Sequence, residues 1–390
     1  MKNKNSNPKI FITTNGCIRR AFDLTRLKKY FELNNCTLVK SPKKANYLIL
    51  ITCSVKQNKE QESLRLIKKY KKYSGELIVA GCLPDIAPAK FKAQFAGRYF
   101  TSKNLAAVDS LFPDFKIKLA DVPRDPMFAT SSPFKDPFKI RLAKKIKNLI
   151  QPTPPPSHAY LTIGVGCTGN CSYCSVHKSF EPFQSKPLKE CCAEYQKLID
   201  SGYRSFTIMS PDTGSYGIDM HSSLPELLDK FAEMNKGLDI KWYVIDLKPC
   251  WILKYKDEFI KHLQADRIHH LLVPIQSASP RLLRLMHRYD KIDNIAETLK
   301  EFKKIKPDLE LRTHMMIGFP SETEQDFSTT LDFVASIPFN HADLLKYYDA
   351  SGTKSSQMTD KVPDKVAIQR IRQAVKFLKA HDINYDCDDI

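Results

Sequence analysis

The run GVGCTGNCSYC sets Cys167, Cys171 and Cys174 in a C-x3-C-x2-C pattern directly after an apolar stretch. Thiolates are the usual ligands of iron–sulfur clusters, and a 4Fe–4S cluster has four irons. Three ligands leave one iron open, and an open iron can bind a substrate. A second set of cysteines is spread more widely. Cys17 follows IFITTNG, Cys53 follows YLILIT and Cys82 follows LIVAG. Each lies just past a short apolar segment. If those segments are parallel strands, the three thiols share one sheet edge, where ligands bind in open α/β sheets. The plainer alternatives are a zinc loop or packed thiols, since Cys is often buried as a small apolar residue. Repeated placement after a strand favours a metal or cluster site.

The elements that must position these thiols follow from the apolar pattern. Residues 10–13, 47–52 and 77–80 read as strands, with helices at 24–33 and 57–73. Short apolar strands alternating with helices imply a parallel sheet covered on both faces. This first domain is expected over residues 1–113. Residues 114–157 read as a basic, Pro-rich linker containing KDPFKIRLAKKIKN and ending in QPTPPPS. Alternation resumes over 158–381, with strands expected at 159–165, 205–209, 241–245, 269–274, 310–317 and 343–348 and a closing helix at 366–381. Residues 382–390 read as an acidic tail. The fold class is therefore α/β: an open parallel-sheet domain followed by a partial (βα)6 TIM-type barrel, with the active site at the strand C-termini.

The chain has 390 residues, 42% hydrophobic, with 11 Cys. No apolar run approaches the roughly 18 residues of a membrane span, and the N-terminus lacks a signal-peptide pattern. A cytoplasmic protein without a membrane partner is expected, and there 11 Cys are not a disulfide framework. The net charge of +18 suits a polyanionic partner, although lysines are spread along the whole chain.

The Cys167 loop, with an aromatic at Tyr173, resembles the signature of the radical S-adenosylmethionine (SAM) superfamily. There the open iron holds SAM, and an electron from the cluster cleaves it to a radical. TNGC (14–17), ITCSVKQNKEQES (51–63) and AGCLPD (80–85) resemble the three cysteine motifs of the methylthiotransferase family. PDTGSYGID (211–219), PIQSAS (274–279), LMHRYD (285–290), GFPSETEQDF (318–327) and YYDASGT (347–353) resemble its barrel motifs. The wording of DTGSYG and PIQSAS is most similar to the archaeal and eukaryotic-type branch that modifies threonylcarbamoyladenosine in tRNA.

The resemblance implies two 4Fe–4S clusters, SAM and an external electron donor. Cys167, Cys171 and Cys174 would hold the radical-generating cluster, and Cys17, Cys53 and Cys82 the auxiliary one. Tyr173, Asp212, Gln276, Ser277, Gly318, Phe319 and Glu322 would contact SAM. The activity expected is insertion of sulfur into an unactivated C–H bond followed by its methylation, on a tRNA adenosine beside the anticodon. The alternative is a residue of a peptide or protein, either a ribosomal protein or a dedicated precursor peptide. A remote alternative is a non-catalytic iron–sulfur RNA-binding protein. Some positions depart from the family. Arg19 stands where an Asn is usual, Ser321 replaces a Gly and Ala350 an Arg, and no Arg-Gly pair follows Cys174. The family's C-terminal TRAM domain is also expected to be absent. Gly164, Gly166 and Gly169 fit a dinucleotide-binding G-x-G-x-x-G, but close backbone approach to a cluster explains them better.

Overall fold

The computed structural model describes residues 7–123, 127–129, 158–235 and 237–387. Its first sheet contains β1 (Lys9–Thr14), β2 (Thr37–Leu38), β3 (Tyr47–Thr52) and β4 (Glu76–Gly81), all parallel, in the order β2-β1-β3-β4. Successive side chains in a strand point to opposite faces, and both faces are apolar here. Ile49, Ile51, Ile78 and Ala80 pack with Leu27, Tyr30 and Phe31 of α1 (Ile18–Leu33). Leu48, Leu50, Leu77 and Val79 pack on the other face with Ile67 and Tyr70 of α2 (Gln57–Tyr70).

The second sheet contains eight strands. They are β5 (Met127–Ala129), β6 (His158–Thr162), β9 (Ser205–Met209), β10 (Lys241–Val244), β11 (Ile268–Leu272), β12 (Glu310–Ile317), β13 (His341–Lys346) and β14 (Asn384–Cys387). A separate two-stranded piece pairs β7 (Gly164–Val165) with β8 (Gln184–Ser185). Apart from the antiparallel edge strand β5, the eight-stranded sheet is parallel throughout. Leu161, Ile208, Val244, Leu271, Leu311 and Leu344 join the helices in the largest core. The alternating positions are polar. His158 bonds Ser205 and Thr207 at 2.7 and 2.8 Å, and Arg312 Nε donates to Asp343 at 2.7 Å. The partial barrel thus has an apolar outer layer and a polar lining, which leaves room for chemistry at its mouth.

Two expected boundaries move. Residues 382–390 are not simply a tail, because 384–387 form β14 alongside β13. Asp386 accepts from Arg312 at 3.0 Å, and Ile383 is buried. The Arg312–Asp386 ion pair, together with Ile383, Tyr385 and Cys387 packed against the large core, therefore holds this short strand. Residues 114–123, expected as the start of the linker, pack onto the first core through Phe115, Ile117, Leu119 and Val122. The basic element KDPFKIRLAKKIKN and the QPTPPPS stretch lie outside the described residues.

Contacts dock the first unit on the second. Glu60 of α2 is fully buried and accepts from Ser54 at 3.1 Å, Lys90 at 2.6 Å and the Tyr348 hydroxyl beyond β13. Arg19 of α1 pairs with Asp246 beyond β10.

Gly81 ends β4 with φ +100, and a Cβ there would lie 2.2 Å from the Thr52 carbonyl oxygen. Gly81→Ala must therefore part β3 from β4 beneath Cys53 and Cys82. We expect a stability loss of about 3 kcal/mol, measured by denaturant unfolding. A loss within experimental error would contradict this packing.

Candidate active site

Parallel pairing delivers the first three thiols to one edge. Cys17 directly precedes α1, Cys53 follows β3, and Cys82 follows β4. Cys53 is anchored through its N–H, which donates to Asn15 Oδ1 at 3.2 Å and Ser63 Oγ at 3.0 Å. The Cys82 N–H donates to the Thr52 carbonyl at 3.0 Å. Burial pushes the Cys53 thiol up to about 11, and burial also raises that of Cys82. The three sulfurs are near enough to influence one another, and all three favour the cation of buried Arg20, whose burial alone would oppose it. None is in a disulfide. Three soft donors on one sheet edge, within electrostatic reach of one another, fit a metal cluster.

The second triad occupies the loop after β7. Gly169 N–H donates to Cys167 Sγ at 3.3 Å, and Arg288 Nη1 donates to Cys171 Sγ at 3.8 Å. N–H···S contacts of this kind help set the potentials of iron–sulfur clusters. The loop is tied down by Ser172, whose N–H donates to the Met286 carbonyl and whose hydroxyl donates to Leu285 O at 2.7 Å. Burial raises the thiols of Cys167 and Cys174, and each triad member adds to the effect on Cys174.

The other expected residues divide by what they touch. Asp212 is fully buried and saturated: Oδ2 accepts from Thr168 and from Lys248, each at 2.6 Å, and Oδ1 accepts from Trp251 Nε1 at 2.9 Å. Its bonds brace the cysteine loop and leave little for a ligand. Ser277 is equally occupied, with Thr330 at 3.1 Å and the Ser279 N–H at 3.1 Å. Glu322 accepts the Gly318 N–H at 2.8 Å and pairs with Arg370 at 2.9 Å; burial pushes it up to about 7 against both partners. It therefore shapes the Gly318 turn, whose φ is +85. Phe319 is fully buried among Leu282 and Met286, with Tyr173 edge-on at 6.4 Å. The Tyr173 hydroxyl accepts from Arg288 at 3.3 Å. Gln276 differs from the rest. It holds φ +69, its backbone is paired to His314 and Met316, and its buried Oε1 has no hydrogen-bond partner. A strained backbone and an unsatisfied amide at a strand end suit a ligand contact.

Sequence reasoning missed Lys248, Arg288 and Arg19 as parts of this site. Lys248 lies beside Cys167 and Cys171. Burial opposes its charge, but Asp212 and both thiols more than offset that and raise its pKa. A Cβ on Gly169 would meet its Nζ at 2.5 Å, so that glycine makes room for the ammonium. Arg19 is held charged, against its burial, by Asp246, Cys17 and Cys167, one thiol from each triad. The signal available was position: Lys248 follows β10 at the barrel mouth.

Comparison with known proteins fits this geometry. A Radical SAM superfamily profile matches residues 161–334, and a profile for the uncharacterized protein family UPF0004 matches residues 9–100. The ribosomal protein uS12 methylthiotransferase RimO of Klebsiella pneumoniae is 27% identical over 95% of this chain and 81% of its own length. The RimO of Proteus mirabilis is 26% identical over 97% and 83%. The chain is similar along nearly its whole length to radical SAM enzymes of the methylthiotransferase type. Enzymes of this type use two 4Fe–4S clusters and SAM. Among solved structures, the radical SAM methyltransferase TsrM of Kitasatospora setae shares the fold, with a TM-score of 0.60 at 11% identity over 87% of this chain and 72% of its own.

The relatives do not support the tRNA branch suggested by motif wording. Asp212 of DTGSYG and Ser277 of PIQSAS are occupied in bracing the barrel mouth, so their presence carries little about the substrate. Among the described residues, no helix is long and apolar enough to cross a membrane.

Lys248 lowers the Cys167 pKa against burial. Lys248→Met should raise it further and leave less thiolate at a given pH. In metal-free protein at pH ~8, alkylation of Cys167 should slow about tenfold, with partial recovery in Lys248→Arg. Peptide mass spectrometry reads the rate, and an unchanged rate would place the ammonium elsewhere.

Proposed function

We propose that this enzyme methylthiolates a residue of a ribosomal protein of the uS12 type. The match to uS12 methylthiotransferases along nearly the whole chain, across both cysteine triads, carries this reading. Cys167, Cys171 and Cys174 would hold a cluster that with SAM supplies a hydrogen-abstracting radical, and Cys17, Cys53 and Cys82 would hold the cluster that supplies sulfur. Removing hydrogen from an unactivated carbon needs such a group, because no side-chain base is strong enough.

The chain's own residues have defined tasks in this reading. Asp212 fixes the cysteine loop and Lys248 together. Gln276 offers its free amide oxygen to SAM at the barrel mouth. The Glu322–Arg370 pair holds the Gly318 turn, so that its backbone faces the ligand in one conformation. Arg288 and Lys248 compensate the thiolate charge beside Cys171. Phe319, Met286 and Leu282 close the underside of the loop against water.

The test uses anaerobically reconstituted enzyme with SAM, sulfide and a reductant. It is offered uS12-type ribosomal protein in one reaction and bulk tRNA in another. The expected result is one methylthio group on a single uS12 residue by peptide mass spectrometry, lost in Cys53→Ala. A methylthio-nucleoside in tRNA with unmodified uS12 would overturn the reading.

A further inference from the structure

A cavity of about 550 Å³ opens along the seam between the two units. One wall is a face of α1, with Arg19, Phe22, Asp23 and Arg26; the other includes β7, β8, Phe180, Glu181, Lys186 and Pro187. It reaches Arg19 and Arg20, just after Cys17, and Gly166, just before Cys167. Its inner end therefore lies among the residues that flank the two triads. Its size is in the range of pockets that enclose a ligand.

The charges on its walls decide what fits. The basic side chains are Arg19, Arg20, Arg26 and Lys186. They are matched in number by Asp23, Glu181, Glu190 and Glu194. Each cation is also already engaged. Arg19 pairs with Asp246, Arg20 with Asp23 at 2.7 Å, and Lys186 with Glu194 at 2.7 Å. Arg26 donates to the carbonyls of Leu119 and Val122 at 2.8 and 3.1 Å. Nucleic-acid binding draws on Lys and Arg left to neutralise phosphates. In this cavity each cation is already paired or bonded, Arg19 keeping a single open N–H, and the carboxylates would repel a phosphate backbone, despite the +18 charge of the whole chain. Phe22, Val165, Phe180 and Met209 add apolar wall. A balanced, partly apolar cleft matches the mixed surface of a polypeptide.

One donor stands open at the inner end. Arg19 Nε is buried without a hydrogen-bond partner, although the guanidinium is anchored through its other nitrogen to Asp246. A carbonyl or carboxylate oxygen of an entering segment would complete it.

We propose that this cleft admits an extended segment of the polypeptide substrate, with Phe22 on its wall, Glu190 at its rim and Arg19 receiving an oxygen at its inner end. The inference rests on the protein-substrate reading above and adds the place where that substrate enters.

The experiment installs photoreactive p-benzoylphenylalanine at Phe22 or Glu190 of the reconstituted full-length enzyme, with Leu238, exposed on the barrel surface, as the control position. Each is irradiated with uS12-type protein, with bulk tRNA, or with SAM alone as competitor. Crosslinks to uS12 from positions 22 and 190, absent from 238 and not displaced by SAM alone, are the expected result. Phe22→Ala and Glu190→Lys, carrying the wild-type iron content, should raise KM for uS12 about tenfold. If wild-type enzyme modifies uS12 but positions 22 and 190 do not crosslink and KM is unchanged, the cleft is wrong and the substrate reading stands. If tRNA crosslinks there, or SAM alone abolishes the crosslinks, the polypeptide assignment is overturned. If wild-type enzyme leaves uS12 unmodified, the substrate reading falls and the cleft's occupant with it.

Discussion

Parallel pairing makes every strand of a sheet end on the same edge, and this molecule depends on that constraint twice. In the first sheet it turns three cysteines far apart in sequence into neighbours. In the second it brings the cysteine loop, Lys248, Gln276 and the Gly318 turn to one barrel mouth. Neither sheet could achieve this if its strands were exposed, because parallel strands need cover on both faces. The apolar β3 and β4 meet that need with two separate cores. The barrel sheet meets it differently, with one large apolar layer and one polar lining.

Turning the two edges toward each other is a separate problem, solved by polar contacts at the seam. Glu60 reaches across to Tyr348, and Arg19 to Asp246. A buried carboxylate such as Glu60 is costly unless all its bonds are made, so the seam favours one docking geometry over others. Arg19 has a further consequence. Its cation is favoured by a thiol from each triad, which makes it the point where the two halves of the site share an electrostatic environment.

Much of this was legible in the sequence, for physical reasons. Buried parallel strands are short continuous apolar runs, so YLILIT and LIVAG announced both themselves and the cysteines after them. The strand β14 was not legible, because its alternation spans only four residues, with Tyr385 and Cys387 only partly buried on the core side and Asp386 held by Arg312, a residue distant in sequence. The first core's reach to Val122 was missed because Phe115, Ile117, Leu119 and Val122 pack from an irregular segment with no helical or strand period. Strand-end position marked Asp212 and Ser277 as ligand contacts, but only their partners reveal that both are already satisfied. Gln276 lay in the same motif as Ser277, and only its left-handed backbone and unpaired oxygen set it apart.

Two clusters held by the two triads would face one shared space, with Arg19 between them. Electron spin relaxation tests it directly. In reconstituted, fully reduced enzyme, pulsed paramagnetic resonance should show each cluster's relaxation accelerated by the other. The Cys17→Ala, Cys53→Ala, Cys82→Ala triple variant should show the slower relaxation of a single cluster. Identical relaxation in the two proteins, with the full enzyme carrying both clusters, would contradict the account.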